Sequence, residues 1–573
     1  MTRVSNVRLL LLTLLSSVLL PLALPNEFVG DAAKLFGLKP DESFYWGNAL
    51  IGVVCLVPVF VAIVRAPSFK VASWLGVVFG GVSTALSSFW LMFFQGFTVW
   101  TYGGTILGYC GYNALLFPFL RGLSRLNPRL RPFLLAVGWG VYEYFKSIGF
   151  LGYPWGLIAY PVGSVLPLIQ FVDITGVWGV SLLMALVNSV IAEAVLAGWR
   201  LSWRPSRRPW PSPSWRSAFP RQAAFVVVLL AGAFIYGAFR MTVPIPAEKT
   251  ANLLLVQQNV DPWGGGNGKA AENSTDVNLN LTAAAVRQLP RKPDLAVWSE
   301  SSVSSVGVNL DGSYYPQKNA LVPGIQKGGV PVLFGGVVIV DMQKQAFWNA
   351  AVLADANGTV QDTYGKMHPV PFAESIPFYE LEPVRLFFRN VVGIWNPWVS
   401  GTRHTVFRVP LASGGTLSFG VPICFEDAFA DLDRQYLLKG ADMLINITND
   451  SWSKTWSSEI QHFQVARFRS IENRRVLVRS TNGGVSAVVD PWGGIRMRMP
   501  FFERTWRDVN VPVYKEKYLT PYTRYGDWLP QCLIALVLIA LVINVLPKKK
   551  RSSVDDLLLL SHRDAITALG DLL

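Results

Sequence analysis

The sequence predicts a multi-span α-helical membrane protein that carries one large α/β domain. Of its 573 residues, 51% are hydrophobic and only 15% are charged, against about 25% charged in an ordinary soluble domain. About eight apolar runs approach the ~20 residues that a membrane-spanning helix needs. One long polar stretch, 250–515, separates the last of these runs from the others.

The links between the apolar runs alternate in charge. Basic residues collect in 65–70, 121–131, 198–221 and Lys548–Arg551, whereas the intervening links carry almost none. The positive-inside rule therefore places both termini in the cytoplasm and the polar stretch outside. A cleaved signal peptide at 1–24 is the alternative, and it would leave the polar stretch on the same side. The apolar runs lie at roughly 7–24, 45–64, 71–95, 102–120, 132–150, 166–197, 222–240 and 528–547.

The predicted domain organisation follows from these runs. Residues 1–245 form a membrane domain with seven helices, 246–520 an extracytoplasmic catalytic domain, and 521–573 the eighth helix and a cytoplasmic tail. The net charge is 51 − 37 = +14, but its basic residues lie between apolar runs, so we expect no nucleic-acid partner. The four cysteines and four histidines show no disulfide or metal-ligand spacing, so we expect neither metal nor organic cofactor.

Short β-rich runs alternate with helix-compatible segments in the polar stretch, which indicates a layered α/β domain. Turn signals at Ala356–Gly358 and Asn482–Gly484 predict two hairpins. The helix candidates are Val277–Gln288 and Ser458–Arg475. The strand candidates are Asn252–Gln257, Asp294–Trp298, Val330–Val340, Ala346–Leu353, Val360–Tyr364, Thr416–Ile423, Met443–Ile447, Val476–Ser480 and Val485–Val489.

Three reactive side chains follow strand candidates: Glu300, Lys366 and Cys424. Catalytic groups often collect at strand ends in layered α/β folds. A thiol needs a base to become nucleophilic, a carboxylate can take its proton, and an ammonium can stabilise an oxyanion, so the three types together favour acyl transfer. Taken singly, Cys424 also fits a buried core thiol, and the other two fit surface residues.

A series of motifs extends over nearly the whole chain. They are GYPWGLIAYP from Gly152, QFVDITGVWGVS from Gln170, VWSES around Glu300, YGKMHPVPFAESIP from Tyr364, ICFED around Cys424, ITNDSW from Ile447, QHFQVARFRSIENRRVLVRSTNGGVS from Gln461 and TPYTRYGDW from Thr520. In the identity and order of these blocks the chain resembles the apolipoprotein N-acyltransferases, bacterial membrane enzymes with a nitrilase-superfamily domain. The resemblance implies that the α/β domain is a nitrilase-like αββα sandwich.

By motif position, the resemblance implies that Glu300 is the general base, Lys366 the oxyanion stabiliser and Cys424 the nucleophile that carries the acyl chain. Phe425 departs from the family, which often has tyrosine there, so any hydrogen bond of that hydroxyl must be absent or replaced. The resemblance also implies supporting or substrate-binding positions at Glu374, Glu426, Phe425, Trp263 and Trp452.

The resemblance further implies the substrates and the setting. The acyl donor would be a phospholipid, typically phosphatidylethanolamine, and the acceptor the α-amine of the diacylglyceryl-cysteine of an apolipoprotein. The enzyme would lie in the bacterial inner membrane, with its catalytic domain on the periplasmic side, and act as a monomer.

Three other hypotheses stay open. A membrane-tethered amidase or nitrilase would use Glu300, Lys366 and Cys424 on a small soluble amide. A transporter is supported only by Glu143, an acidic residue within a predicted span. The third is an inactive or specialised relative with a different donor or acceptor.

Overall fold

The computed structural model divides the chain into a bundle of apolar helices and an α/β domain. A last helix follows the α/β domain and packs back on the bundle. The described residues are 6–35, 45–94, 99–201, 214–264, 272–392, 398–515 and 519–545. Residues 202–213 of the basic 198–221 link and all of Lys548–Arg551, on which the predicted orientation depends, lie outside them.

Four helices of the bundle are long and apolar enough to cross a membrane: Asn6–Ala23, Phe69–Ser87, Val177–Gly198 and Phe219–Thr242. The membrane character is thus confirmed, while the number of eight spans stays a prediction. The helices of this part are α1 (Asn6–Ala23), α2 (Phe28–Leu35), α3 (Ala49–Gly52), α4 (Val57–Arg65), α5 (Phe69–Ser87), α6 (Gly104–Leu126), α7 (Arg131–Phe145), α8 (Leu166–Ile169), α9 (Val172–Thr175), α10 (Val177–Leu201) and α11 (Ser214–Thr242).

The segment predicted as a sixth span, 166–197, is divided into α8, α9 and α10. Gly176, between α9 and α10, has φ +66°, a left-handed conformation that glycine adopts without steric cost and that interrupts a helix. Glu143 in α7 is buried, and its Oε1 accepts hydrogen bonds from Trp139 Nε1 at 3.0 Å and from the backbone N–H of Ile158 at 2.8 Å. It therefore ties α7 to the aromatic link at 151–165.

The α/β domain contains two sheets. The first has eight strands with a main path β14-β1-β2-β5-β3-β4, and β6 pairs with β5 while β7 pairs with β6; the second has six, in the order β13-β12-β11-β10-β9-β8. The described strands are β1 (Ala247–Gln257), β2 (Leu295–Val297), β3 (Gly307–Asn309), β4 (Tyr314–Tyr315), β5 (Val332–Asp341), β6 (Ala346–Ala354), β7 (Val360–Gly365), β8 (Val406–Pro410), β9 (Thr416–Gly420), β10 (Met443–Thr448), β11 (Leu477–Thr481), β12 (Ala487–Val489), β13 (Ile495–Arg498) and β14 (Thr505–Tyr514).

The two sheets pack face to face, with helices on the outside. Side chains alternate along β1, so that Leu253 and Leu255 enter the core shared by both sheets while Leu254 and Val256 pack toward α12 and α13. On the second sheet, Phe419 joins the shared core. This arrangement is the predicted αββα sandwich. The remaining helices are α12 (Ser274–Gln288), α13 (Leu321–Gly328), α14 (Glu382–Phe387), α15 (Ala430–Leu438), α16 (Trp456–Asn473), α17 (Pro521–Tyr525) and α18 (Trp528–Val545).

Each strand and helix candidate in the polar stretch overlaps an observed element, and both hairpin turns connect antiparallel strands. Several boundaries differ by a few residues, for example the start of β1 at Ala247 rather than at Asn252. The difference nearest the candidate site is that β9 ends at Gly420 rather than at Ile423. Pro422 has no N–H to continue the ladder, and pairing resumes only as an isolated bridge between Ile423 and Ile447. The strands β3, β4, β8, β13 and β14 are not among the candidates.

Helix α16 joins the α/β domain to the bundle. After Trp456 every one of its residues is buried although most are polar. Gln461 donates to the carbonyl of Ser87 at 3.1 Å and accepts from Trp90 Nε1 at 3.0 Å. Just past the helix, Arg474 makes a 2.7 Å ion pair with Asp173 in α9. Gln461 and Arg474 therefore bind this segment of the α/β domain to the bundle.

Candidate active site

Glu300 and Lys366, which follow β2 and β7, lie together with Glu374 from the loop after β7. Lys366 Nζ is 3.2 Å from Glu300 Oε1 and 2.8 Å from Glu374 Oε2. Asn349 in β6 donates to both carboxylates, at 2.8 and 3.0 Å. The backbone N–H of Asn449 donates to Glu300 Oε2 at 3.0 Å. These contacts hold both carboxylates against one ammonium.

Lys366 is almost completely buried, with 1% of its side chain exposed. Burial alone would lower its pKa, but the carboxylates of Glu300 and Glu374 hold that pKa well above the usual lysine value. Lys366 therefore stays an ammonium, the form that can stabilise an oxyanion.

Cys424 begins a short 3₁₀ turn, Cys424–Ala428, and has φ +51°. A non-glycine residue pays of order 1 kcal/mol or more for this left-handed conformation, which is often found at functional sites. The Asn446 amide helps to fix the turn by donating to the carbonyls of Pro422 and Cys424, at 3.1 and 3.3 Å. Burial and the nearby charge of Glu300 raise the pKa of the Cys424 thiol, while Lys366 lowers it. The thiol is therefore protonated at rest and needs a base.

Glu426 binds backbone groups rather than the three reactive side chains. Its Oε1 accepts from the Tyr364 hydroxyl at 2.8 Å and from the N–H groups of Met367 and His368 at 2.6 and 3.0 Å. Its Oε2 accepts from the N–H of Ile423 at 2.8 Å. Burial raises the pKa of Glu426 to about 7 in spite of these donors. One carboxyl thus joins the segment after the candidate lysine to the residue before the candidate cysteine.

Two family models match the chain: an apolipoprotein N-acyltransferase N-terminal domain over residues 35–190 and a carbon-nitrogen hydrolase over 278–513. Apolipoprotein N-acyltransferase 2 of Treponema denticola is 38% identical over 92% of this chain and 97% of its own length. The chain belongs to the apolipoprotein N-acyltransferase family. The predicted resemblance is thereby confirmed.

Other members of the family give the same result. Apolipoprotein N-acyltransferase 2 of Treponema pallidum is 34% identical over 94% of this chain and 95% of its own length. The apolipoprotein N-acyltransferase of Borreliella burgdorferi is 30% identical over 87% of this chain and 92% of its own length. The similarity therefore extends over both the helical bundle and the α/β domain.

A continuous row of aromatic rings connects the cysteine turn of this N-acyltransferase family member to its helical bundle. Phe425 stacks on Trp155, with centroids 5.5 Å apart and an interplanar angle of 18°. Tyr153 stacks on the same Trp155 at 5.2 Å. Trp90 lies 6.3 Å from Trp155 and 5.3 Å from Trp452. The GYPW link is thus packed against the candidate site, a contact that the sequence did not predict.

Trp263 and Trp452, predicted near the substrate, form a pair beside this row. Trp263 Nε1 donates to the carbonyl of Trp452 at 2.9 Å. Phe94, just beyond α5, contacts both rings with centroids 5.2 and 5.1 Å away. The pair therefore lies where the α/β domain meets the bundle.

Two groups of polar residues were missed. Asn349 carries a recognisable signal, because it is a single polar residue inside the apolar run of β6, where a buried amide needs partners. Asp427, Asp450, His462 and Arg479 each lie within one of the motif blocks named above, but nothing in those blocks indicates that the four side chains contact one another. Within the described ranges no set of three or more His, Cys, Asp or Glu side chains could hold a metal ion.

Proposed function

We propose that this protein transfers a fatty acyl chain from a phospholipid to the N-terminal α-amine of diacylglyceryl-cysteine in apolipoproteins. The observation that carries the proposal is the convergence of Glu300, Lys366 and Cys424 beside the aromatic junction with the bundle. The named activity of the relatives supports the acceptor. The phospholipid donor, probed as phosphatidylethanolamine, fits a site at the junction between the α/β domain and apolar helices.

In the first half-reaction, Glu300 takes the thiol proton of Cys424 and the thiolate attacks the acyl ester carbonyl. The ammonium of Lys366 stabilises the resulting oxyanion, a kind of contact worth about 3–4 kcal/mol. The ester C–O bond then breaks, and Glu300 returns the proton to the departing lysophospholipid oxygen. A thioester on Cys424 remains.

In the second half-reaction, the acceptor amine attacks the thioester carbonyl. An α-amine has a pKa near 7.7–8.0, so a usable fraction is neutral and nucleophilic at physiological pH. Glu300 takes the proton that the amine loses, and the C–S bond breaks. Cys424 regains the proton and the acyl chain leaves as an amide. Excluding water until the amine arrives keeps the thioester from hydrolysis.

The proposed setting is the bacterial inner membrane, with the α/β domain on the periplasmic side, both termini in the cytoplasm and a monomeric enzyme. The basic links of the sequence support this orientation. It puts the candidate site on the side where lipid-modified, exported proteins would reach it.

The deciding test is intact-protein mass spectrometry after incubation with phosphatidylethanolamine. We expect a hydroxylamine-labile acyl adduct on the parent protein and none on the Cys424→Ala variant. Cys532→Ala removes an exposed cysteine of α18 and should acylate like the parent. An equal adduct on Cys424→Ala, or neither adduct nor lysophospholipid from the parent, would overturn the proposal.

A second addition separates transfer from hydrolysis. When a diacylglyceryl-cysteine lipopeptide is added to the acylated enzyme, we expect N-acyl lipopeptide and free thiol. Release of fatty acid with no amide would instead favour a hydrolase related to the amidases.

A further inference from the structure

Four buried charged side chains form a closed ring next to the candidate site. His462 Nδ1 is 2.7 Å from Asp450 Oδ1, and Nε2 is 2.9 Å from Asp427 Oδ1. Arg479 bonds the other oxygens of the same carboxylates, with Nη1 2.6 Å from Asp427 Oδ2 and Nη2 3.4 Å from Asp450 Oδ2. We call these four residues the ion ring.

The ion ring is balanced in charge and closed to solvent. None of its side chains is more than 5% exposed. Because each nitrogen of His462 faces a carboxylate oxygen, only the doubly protonated imidazolium can donate to both. Burial alone would lower the pKa of His462, but Asp450 and Asp427 raise it to about 10. Glu459 also faces the ring, and because burial holds its pKa well above the usual value it adds no charge.

The two carboxylates of the ion ring belong to the two segments that build the candidate site. Asp427 lies in the 3₁₀ turn that begins with Cys424. Asp450 follows directly on Asn449, whose N–H binds Glu300. His462, on α16, therefore contacts the cysteine turn through Nε2 and the segment of Asn449 and Asp450 through Nδ1.

Asp450 connects the ion ring to the thiol. Its Oδ1 accepts from His462 Nδ1 at 2.7 Å and from the Thr448 hydroxyl at 3.3 Å. The negative charge of Asp450 raises the pKa of Cys424, because it disfavours the thiolate. The cation of His462 balances that charge.

We propose that His462 is a positioning residue for Cys424: as a cation that donates from both ring nitrogens, it holds the cysteine turn to the loop that binds Glu300 and balances the charge of Asp450. This inference rests on the proposed function for its role in acyl transfer. The effect of His462 on the reactivity of Cys424 does not require the acyl donor, so this inference and the proposed function can fail separately.

The test measures alkylation of Cys424 by iodoacetamide, resolved by peptide mass spectrometry, from neutral to alkaline pH and without phospholipid. In His462→Gln, Asp450 loses the cation that balances its charge, and that charge then disfavours the Cys424 thiolate more strongly. We therefore expect Cys424 to react about tenfold more slowly at neutral pH, with its pH profile shifted upward by about one unit. His404→Gln makes the same replacement at a histidine whose ring contacts Tyr436, and it should leave rate and profile unchanged.

A double variant keeps the test decisive if His462→Gln folds poorly. His462→Gln with Asp427→Asn leaves one carboxylate and one guanidinium, so charge balance is restored. We expect it to recover folding relative to the single variant, together with a measurable part of the alkylation rate. A folded His462→Gln with the parent profile, or a double variant no better than an unfolded single one, would overturn the inference.

The thioester assay distinguishes the two proposals. If the parent forms no thioester but the alkylation results are as expected, the proposed function fails and the positioning of Cys424 stands. If the parent forms the thioester and His462→Gln forms it equally fast with an unshifted profile, the positioning role fails and the proposed function stands.

Discussion

Two clusters of buried charge lie beside Cys424, and they differ in charge balance. Around Lys366, the carboxylates of Glu300 and Glu374 face a single ammonium. In the ion ring, two carboxylates face two cations. An uncompensated buried charge is costly, and the first cluster has one carboxylate more than its ammonium balances, whereas the second has none.

The two proposals give the clusters different roles. In the proposed mechanism, Glu300 of the first cluster takes the proton of Cys424. In the proposed positioning role, the ion ring keeps its protons and holds the segments around it. The predictions below test these roles.

Removing the only cation of the unbalanced cluster should have the largest effect. In Lys366→Ala, two carboxylates face each other without an ammonium and the oxyanion loses its stabiliser. We expect acyl-enzyme formation in a single-turnover assay to fall about 10³-fold or more. Near-normal turnover would show that Lys366 has another role. Lys344→Ala, at an exposed lysine whose ion pair with Asp341 is weak in water, is the control.

Glu374→Gln should have a smaller effect because it removes the charge excess and keeps the size of the side chain. Lys366 then balances the charge of the one remaining carboxylate. We therefore expect proton transfer from the thiol to Glu300 to be less favourable. We expect acylation to slow about 10- to 100-fold, or roughly 1.4–2.7 kcal/mol in the barrier. Glu382→Gln, at an exposed position of α14, should acylate at the parent rate. A faster Glu374→Gln would contradict the charge argument.

The comparison also shows how far the sequence could predict the site. Glu300, Lys366 and Cys424 each follow a β-rich run, so strand ends and motifs were enough to select them. The ion ring could not be predicted in this way, because Asp427, Asp450, His462 and Arg479 come from four elements that only the folded chain brings together.

The fold shows the same limit. Short β-rich runs predicted most strands, because a strand that is buried on both faces, such as β2 or β12, is a continuous apolar run. The polar sequence of α16 gave no sign that the helix is buried, since its partners lie in the distant bundle. The stacking of Phe425 on Trp155 likewise joins residues 270 positions apart (425 − 155).

The ion ring predicts a pH dependence of stability. His462 has a folded-state pKa of about 10 against an ordinary value of 6.5, so over that interval only the folded protein keeps the proton. The stabilisation is complete below about pH 6.5, declines as the pH rises by at most about 1.4 kcal/mol per unit, and is lost above about pH 10. Thermal unfolding of the parent and of His462→Gln should converge with rising pH. Parallel curves would mean that His462 is not a buried cation.

Phe425→Tyr should have the smallest effect of the series. The ring stacks on Trp155 and meets Phe429 edge-on at 5.0 Å, with 8% of the residue exposed, and neither contact needs a hydroxyl. We expect acylation within about threefold of the parent and a stability loss of about 1 kcal/mol, since the added hydroxyl enters an apolar environment. Phe425→Ala removes both ring contacts, so we expect a larger loss of acylation rate and of stability than in Phe425→Tyr. If Phe425→Tyr were the more damaging of the two, the space beside this ring, rather than its stacking, would be what the acyl transfer needs.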